Sequence, residues 1–173
     1  PNFSYGYANN RGNTNFDYWE NNSFKTLEGY NGDTILRRTP DFSGNLSYNH
    51  RFKKRGRNLS VYVGMGASSS VSDDDKINYT REFLKAGGYT DTYLDQLINQ
   101  DNRNRNYGIR ATYSEPVAGN RFLDISYGYN YSYTRNDRST FDLDDISGQM
   151  HFNDSLSNAY ENNFINQSAG FSL

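Results

Sequence analysis

The chain has 173 residues, a formal net charge of -2 at pH 7 and no cysteine. The near-neutral charge offers no basic surface for nucleic acid, and the missing cysteines exclude disulfides, thiolate zinc sites and a cysteine nucleophile. Only 34% of the residues are hydrophobic, and 16 tyrosines and 11 phenylalanines supply much of that fraction, so the aliphatic side chains are too few to predict a large core.

Six segments alternate between apolar and polar residues with the two-residue period of β-strands. We predict strands at residues 2–8, 41–52, 58–70, 106–114, 121–134 and 164–173. The fifth segment is the clearest, and its odd positions are all apolar or aromatic: Leu123, Ile125, Tyr127, Tyr129, Tyr131 and Tyr133. Such a strand needs a core or lipid against one face, while its other face can meet water. The pattern predicts an all-β, antiparallel chain.

The connections between these segments alternate in length. Residues 53–57 and 115–120 contain glycine or proline and predict short turns. The connections 9–40, 71–105 and 135–163 are much longer than the median of about 4–6 residues in compact soluble domains, and we predict long loops there. Within the second loop, apolar residues at helical spacing predict a short helix over 90–100. Short turns at one end and long loops at the other are typical of outer-membrane barrels.

The aromatic residues favour the same interpretation. The tyrosines of the fifth segment lie toward its long-loop end, where an interfacial aromatic girdle would place them, and a dry core would leave many of their hydroxyls without partners. We predict that the odd-numbered row from Leu123 to Tyr133 faces lipid. The residues predicted to line the barrel interior are Arg51, Arg110, Asp124, Ser126 and Asn130. Six strands are too few to close such a barrel, which begins at about eight, so the fold prediction is an up-and-down transmembrane β-barrel of which this chain supplies one partial domain.

The sequence offers little for catalysis. His50 and His151 are far apart, no glycine elbow surrounds any serine, and the carboxylates of residues 73–75 and 142–145 lack the spacing of a calcium loop. We predict no enzyme, cofactor or metal site. Phe16, Tyr18 and Trp19, in the first predicted loop, are candidates for stacking on sugar rings of a ligand, with packing inside the loop as the alternative.

Three stretches carry a family likeness. They are S-Y-N-H-R-F-K-K at 47–54 followed by Gly56 and Arg57, Y-S-E-P at 113–116, and N-D-S-L-S at 153–157 followed by E-N-N at 161–163. Together they resemble the barrel region of TonB-dependent receptors from the outer membrane of Gram-negative bacteria. The resemblance implies a cylinder of about two dozen strands around an N-terminal plug that couples to TonB. No stretch here matches a plug or a TonB-contacting segment, so no functional residue is transferred.

The chain begins at Pro1 without methionine or a signal peptide and ends at Leu173 within a predicted strand, so we expect a piece of a longer protein. The predicted function is a wall segment of an outer-membrane receptor or transporter for an extracellular ligand. Its expected partners are outer-membrane lipid, a plug and TonB in the longer protein, and a surface lipoprotein or other subunits. The alternative is a soluble all-β module for glycan binding or cell-surface adhesion, in which the same apolar rows form a sandwich core.

Overall fold

The computed structural model describes residues 1–21, 23–118, 121–144 and 147–173, which form one antiparallel sheet of seven strands. The strands are β1 (Asn2–Glu20), β2 (Phe24–Arg51), β3 (Asn58–Phe83), β4 (Tyr89–Ala118), β5 (Arg121–Leu143), β6 (Met150–Phe152) and β7 (Asn158–Ser172). A 3-10 turn at Asp154–Leu156 separates the last two. The predicted all-β class and antiparallel pairing are therefore confirmed.

The strands follow one another across the sheet in chain order. β1 to β5 pair as successive hairpins, and β6 and β7 both pair with the far side of β5. Within the described part of the chain no pairing joins β1 to β7, so the sheet is open and has two free edges. The strand order is up-and-down, without crossovers.

The strands extend far beyond their predicted bounds, and the three predicted long loops are wrong. Most residues of 9–40, 71–105 and 135–163 belong to paired strands, and the predicted helix over 90–100 is part of β4. β4 also continues through much of the predicted turn at 115–120, whereas β2 and β3 are separated by 52–57. Asn, Asp and Gly have low strand propensity, but backbone pairing with a neighbouring strand outweighs that local preference.

The sheet has no packed core. Among the described side chains only Ser72, Ile98 and Thr140 are buried, while large apolar side chains such as Phe3 and Leu46 are 73% and 67% exposed. A sheet with an apolar face normally buries it against a second layer. The described residues form no second sheet, so the sandwich of the soluble alternative is not present among them.

Hydrogen bonds join the end of β5 to residues 153–157, and we call this cluster the clasp. Thr140 is fully buried, its backbone N–H donates to Ser157 Oγ (2.9 Å), and its hydroxyl donates to the Leu156 carbonyl (3.1 Å). Asn153 caps the 3-10 turn by accepting from the Leu156 N–H (3.1 Å), and its amide donates to Asp142 (2.6 Å). The N-D-S-L-S stretch thus holds β6 and β7 against the same neighbouring strand.

We expect Thr140→Val to lower the free energy of unfolding by about 0.5–1.5 kcal/mol, because it removes the buried hydrogen bond to Leu156 without changing the side-chain volume much. Thr134→Val is the matched control on the same strand, since its hydroxyl bond to Asn104 is exposed, and it should cost less than about 0.5 kcal/mol. Equilibrium urea unfolding of the two variants measures the difference. Equal losses would contradict a special role for the clasp.

Candidate functional site

The register of the sheet places the predicted apolar rows on one face. Residues directly opposite each other in an antiparallel pair point to the same side, and Tyr131 on β5 lies opposite both Tyr107 on β4 and Ile165 on β7. Tyr107 in turn lies opposite Met65 on β3. We call this side the apolar face, and its members include Phe3, Phe42, Leu46, Tyr48, Leu59, Val61, Val63, Met65, Tyr107, Ile109, Tyr113, Leu123, Ile125, Tyr127, Tyr129, Tyr131, Tyr133, Ile165 and Phe171.

The apolar residues occupy only part of the height of that face. On β5 they run from Leu123 to Tyr133, after which Arg135 and Asp137 follow on the same side. On β3 they begin at Leu59, and Asp73 and Asp75 stand further along. We call the apolar part the belt and the polar remainder of the long strands the extension. The belt is about as tall as the 9–11 residues with which a strand crosses a membrane.

Tyrosine side chains are paired across the belt. The rings of Tyr107 and Tyr131 stack with centroids 4.7 Å apart, and the Tyr131 hydroxyl donates to Asn163 (2.7 Å). The Tyr127 hydroxyl donates to Gln167 (3.1 Å), the polar residue that interrupts the apolar row of β7. Tyr127 and Tyr131 therefore each make one hydrogen bond through the hydroxyl, while their rings lie in a mainly apolar surface. This arrangement suits a membrane–water interface.

The opposite face is polar and carries all five residues predicted to line an interior: Arg51, Arg110, Asp124, Ser126 and Asn130. Arg110 and Asn130 lie near one another because they pair with Gly128 and Gly108 on adjacent strands. Arg51 pairs with Asn58 at the short-turn end of β2, in the same cross-strand row as Asp124 but three strands away from it.

A shallow trough of about 900 Å³ crosses the middle of this polar face. Arg110 and Asn130 line it together with Asn45, Tyr62, Asn106 and Ser132. Gly108 forms part of its floor, and a Cβ at that position would overlap the Asn130 amide oxygen. The trough offers amide, hydroxyl and guanidinium groups and no carboxylate, so it suits binding of a polar partner and lacks a general base.

The aromatic group at the end of β1 does not form one stacking platform. Phe16, Tyr18 and Trp19 lie in a strand that ends at Glu20, whereas we predicted a loop. The Phe16 and Tyr18 rings are 6.0 Å apart, but a register irregularity separates Tyr18 from Trp19. The Trp19 indole N–H donates to Asp17 (2.6 Å), and Lys25 Nζ lies 5.6 Å from the ring centroid. The polar N–H and the ring of the indole therefore both have contacts within the β1–β2 hairpin.

Glu115 gathers four hydrogen bonds at the short-turn end, next to the belt. It accepts from Lys54 Nζ (2.6 Å), from Arg57 Nε (2.6 Å) and Nη2 (2.8 Å), and from the Tyr113 hydroxyl (2.7 Å). Lys54 also donates to the Pro116 carbonyl (2.8 Å). The F-K-K-R-G-R stretch at 52–57 and the Y-S-E-P stretch at 113–116 meet at this carboxylate. It ties the β2–β3 turn to the end of β4.

An ion pair joins β3 and β4 within the extension. Arg81 and Asp91 lie directly opposite each other and make a two-pronged ion pair, with Nε–Oδ1 and Nη2–Oδ2 distances of 2.7 and 2.9 Å. The Arg81 guanidinium also lies 4.0 Å from the Tyr89 ring centroid. The hydrogen bonds from Arg81, and then from Tyr79, lower the pKa of the Asp91 carboxyl. The pair therefore stays charged through the neutral range.

No metal-binding group of three or more His, Cys, Asp and Glu side chains occurs in the described residues. Asp73 and Asp75 share one face of β3 while Asp74 points to the other, so these carboxylates do not converge. Burial and then the neighbouring Asp33 raise the pKa of Asp74. His50 lies near the short-turn end of β2 and His151 on β6 at the other end, so they are not brought together.

No protein-family model matches the chain, and no curated protein matches it significantly. No helix in the described segments has the length and apolar character needed to span a membrane.

Sequence reasoning missed Glu115, Thr140 and Asn153 as organising residues. Glu115 and Asn153 lie within the Y-S-E-P and N-D-S-L-S stretches, but their contacts reach segments distant along the chain or depend on the exact register. The only signal was that these two residues lie within stretches already singled out in the sequence.

We expect Glu115→Gln to lower the unfolding midpoint at pH 7, because Arg57, Lys54 and Tyr113 hold the pKa of Glu115 well below its usual range and stabilise its charged form. A depressed carboxyl pKa gives stability that is fully present above the unfolded value of about 4.3 and lost as the pH falls through the folded value. The gap between wild type and variant should therefore persist at pH 5 and shrink below about pH 4. Thermal unfolding at several pH values measures it.

Glu82→Gln is the control for this experiment, since Glu82 is an exposed strand residue in the extension. It should leave the midpoint nearly unchanged at every pH. A gap for Glu115→Gln that is absent at pH 7, or that grows on acidification, would contradict the role assigned to its charge.

Proposed function

We propose that this chain is a wall segment of an outer-membrane β-barrel that acts as a receptor or transporter for an extracellular ligand. The observation that carries the proposal is the belt, because the register aligns the apolar rows of six long strands on one face and at one height. Lipid is the partner that covers such a band without a second protein layer.

The free edges of the sheet support the same proposal. β1 and β7 each leave one side without a neighbouring strand, and exposed edges of this length promote aggregation in a soluble protein. Closure into a barrel removes both edges, and further strands would be needed because transmembrane barrels begin at about eight. In the proposed protein the short turns face the periplasm and the extension faces outward.

The polar face would then line the barrel interior. The trough at Arg110 and Asn130 would face water or a plug, and the protein would work by capture or passage of its ligand and not by chemistry. The resemblance to TonB-dependent receptors suggests a plug and TonB as partners in the longer protein, and a surface lipoprotein or other subunits outside it. The ligand would be selected by the extension and the interior.

Which face of β5 meets lipid can be tested with single introduced cysteines, because the described chain has none of its own. We expect a bimane fluorophore at Tyr127→Cys or Tyr129→Cys in the full-length, membrane-embedded protein to be quenched by lipids that carry a spin label in the acyl chain. Ser126→Cys and Asn130→Cys are matched controls on the other face of the same strand. The fluorophore attached at these positions should be quenched by a water-soluble quencher instead. Quenching that does not alternate along β5 would contradict the lipid-facing belt.

Orientation can be tested by labelling intact cells with a membrane-impermeant maleimide. Lys85, whose side chain is 73% exposed, lies in the turn between β3 and β4, and Lys53 is exposed in the turn between β2 and β3. We expect Lys85→Cys to react on intact cells and Lys53→Cys to react only after the outer membrane is opened. The reverse pattern would invert the proposed topology, and full labelling of both in a detergent-free soluble fraction would favour the soluble glycan-binding or adhesion module.

A further inference from the structure

Three arginines stand on the apolar face at the outer margin of the belt. Arg103 and Arg105 lie on β4 and Arg135 lies on β5, and the register places Arg103 directly opposite Arg135. Arg105 lies opposite Tyr133, with its guanidinium carbon 5.9 Å from the tyrosine ring centroid. The three cations thus border the last aromatic residue of the belt on two adjacent strands.

The charges beyond the belt are ordered by height. Asp101 and Asp137 lie opposite each other one row further out, and each pairs with the arginine of its own strand, at 2.6 Å for Arg103 and 3.1 Å for Arg135. Arg103 thus faces Arg135 and Asp101 faces Asp137 across the strands, and the two same-strand ion pairs offset part of the repulsion within each like-charge pair. On β4 and β5 the cations are next to the belt and the anions are farther from it.

The arginines keep donors free for another anion. The side chains of Arg103 and Arg135 are 47% and 45% exposed despite their ion pairs. A guanidinium has five N–H donors, and Arg103 uses Nε and Nη2 toward Asp101 while Arg135 uses Nη2 toward Asp137. Glu161 is the other acidic neighbour, opposite Arg135 on β7. On the apolar face of β4 and β5, the three arginines are therefore the charged groups nearest this end of the belt. Asp101 and Asp137 lie one row farther from the belt, and Glu161 lies beside Arg135 on β7.

We propose that Arg103, Arg105 and Arg135 bind the phosphate of a lipid headgroup in the outer leaflet. This inference rests on the proposed membrane function. Lipid phosphates lie just outside the hydrocarbon layer, which is the height of residues that follow an aromatic girdle. Guanidinium groups match phosphate oxygens in planar, two-pronged hydrogen bonds, and one phosphate between Arg103 and Arg135 would relieve their mutual repulsion. Asp101 and Asp137 position the two guanidinium groups.

The test uses the full-length protein in a neutral detergent, titrated with phosphatidylglycerol and followed by native mass spectrometry. We expect the triple variant R103Q/R105Q/R135Q to bind this lipid about a hundredfold more weakly, and R105Q alone about fivefold more weakly. R138Q is the matched control, since Arg138 is an exposed arginine of β5 that points to the polar face, and its affinity should equal that of wild type. The single variant serves where the triple variant does not fold.

Three outcomes would overturn the inference. Equal lipid affinity of wild type and the folded triple variant would exclude the arginine group while leaving the belt and its lipid-facing labels intact. Equal binding of phosphatidylcholine would point to acyl-chain contact alone, since that headgroup has no net charge. Competition by inorganic phosphate at the same concentration as the lipid would indicate a site for free phosphate. If the full-length protein is soluble without detergent, the proposed membrane function is wrong, and the lipid-binding inference that rests on it is wrong as well. The fluorophore test of facing detects that failure independently of lipid affinity.

Discussion

The continuous register of backbone hydrogen bonds across six long strands is the constraint on which the rest of this chain depends. A slip of one residue in any pair would move every side chain of that strand to the other face. Because the described residues bury only three side chains, no core corrects such a slip. The apolar face, the polar trough and the arginine group all exist only in this register.

The belt could be predicted from the sequence, and the extension could not. Residues 123–133 alternate without interruption because one side must be apolar along its whole length. In the extension neither face has a continuous apolar row, so residues 9–40 show no period of two, and they form strands by pairing with their neighbours. Leu94, Leu97 and Ile98 have helical spacing by coincidence, since β4 turns Leu97 to the opposite face from the other two.

The sequence also predicted which residues of the candidate site share a face, because odd and even positions of a strand point to opposite sides of the sheet. The individual contacts were not. Glu115 binds Arg57 from a turn that is distant in sequence, and Thr140 is buried only because the 3-10 turn returns over it. Such partners depend on which strands become neighbours, and a single sequence does not specify that.

The length of the extension has a consequence for how a ligand would arrive. Beyond the belt β3 continues from Ser69 to Phe83, which at about 3.3 Å per residue is on the order of 45 Å, more than the roughly 30 Å of membrane hydrocarbon. Because barrel strands are tilted by about 40°, this length corresponds to roughly 35 Å of height, so in the proposed barrel a molecule from outside would travel through a walled passage about as deep as the membrane hydrocarbon before it met the trough. Size and charge would then act on the rate of entry, so discrimination between ligands would begin well before any binding equilibrium.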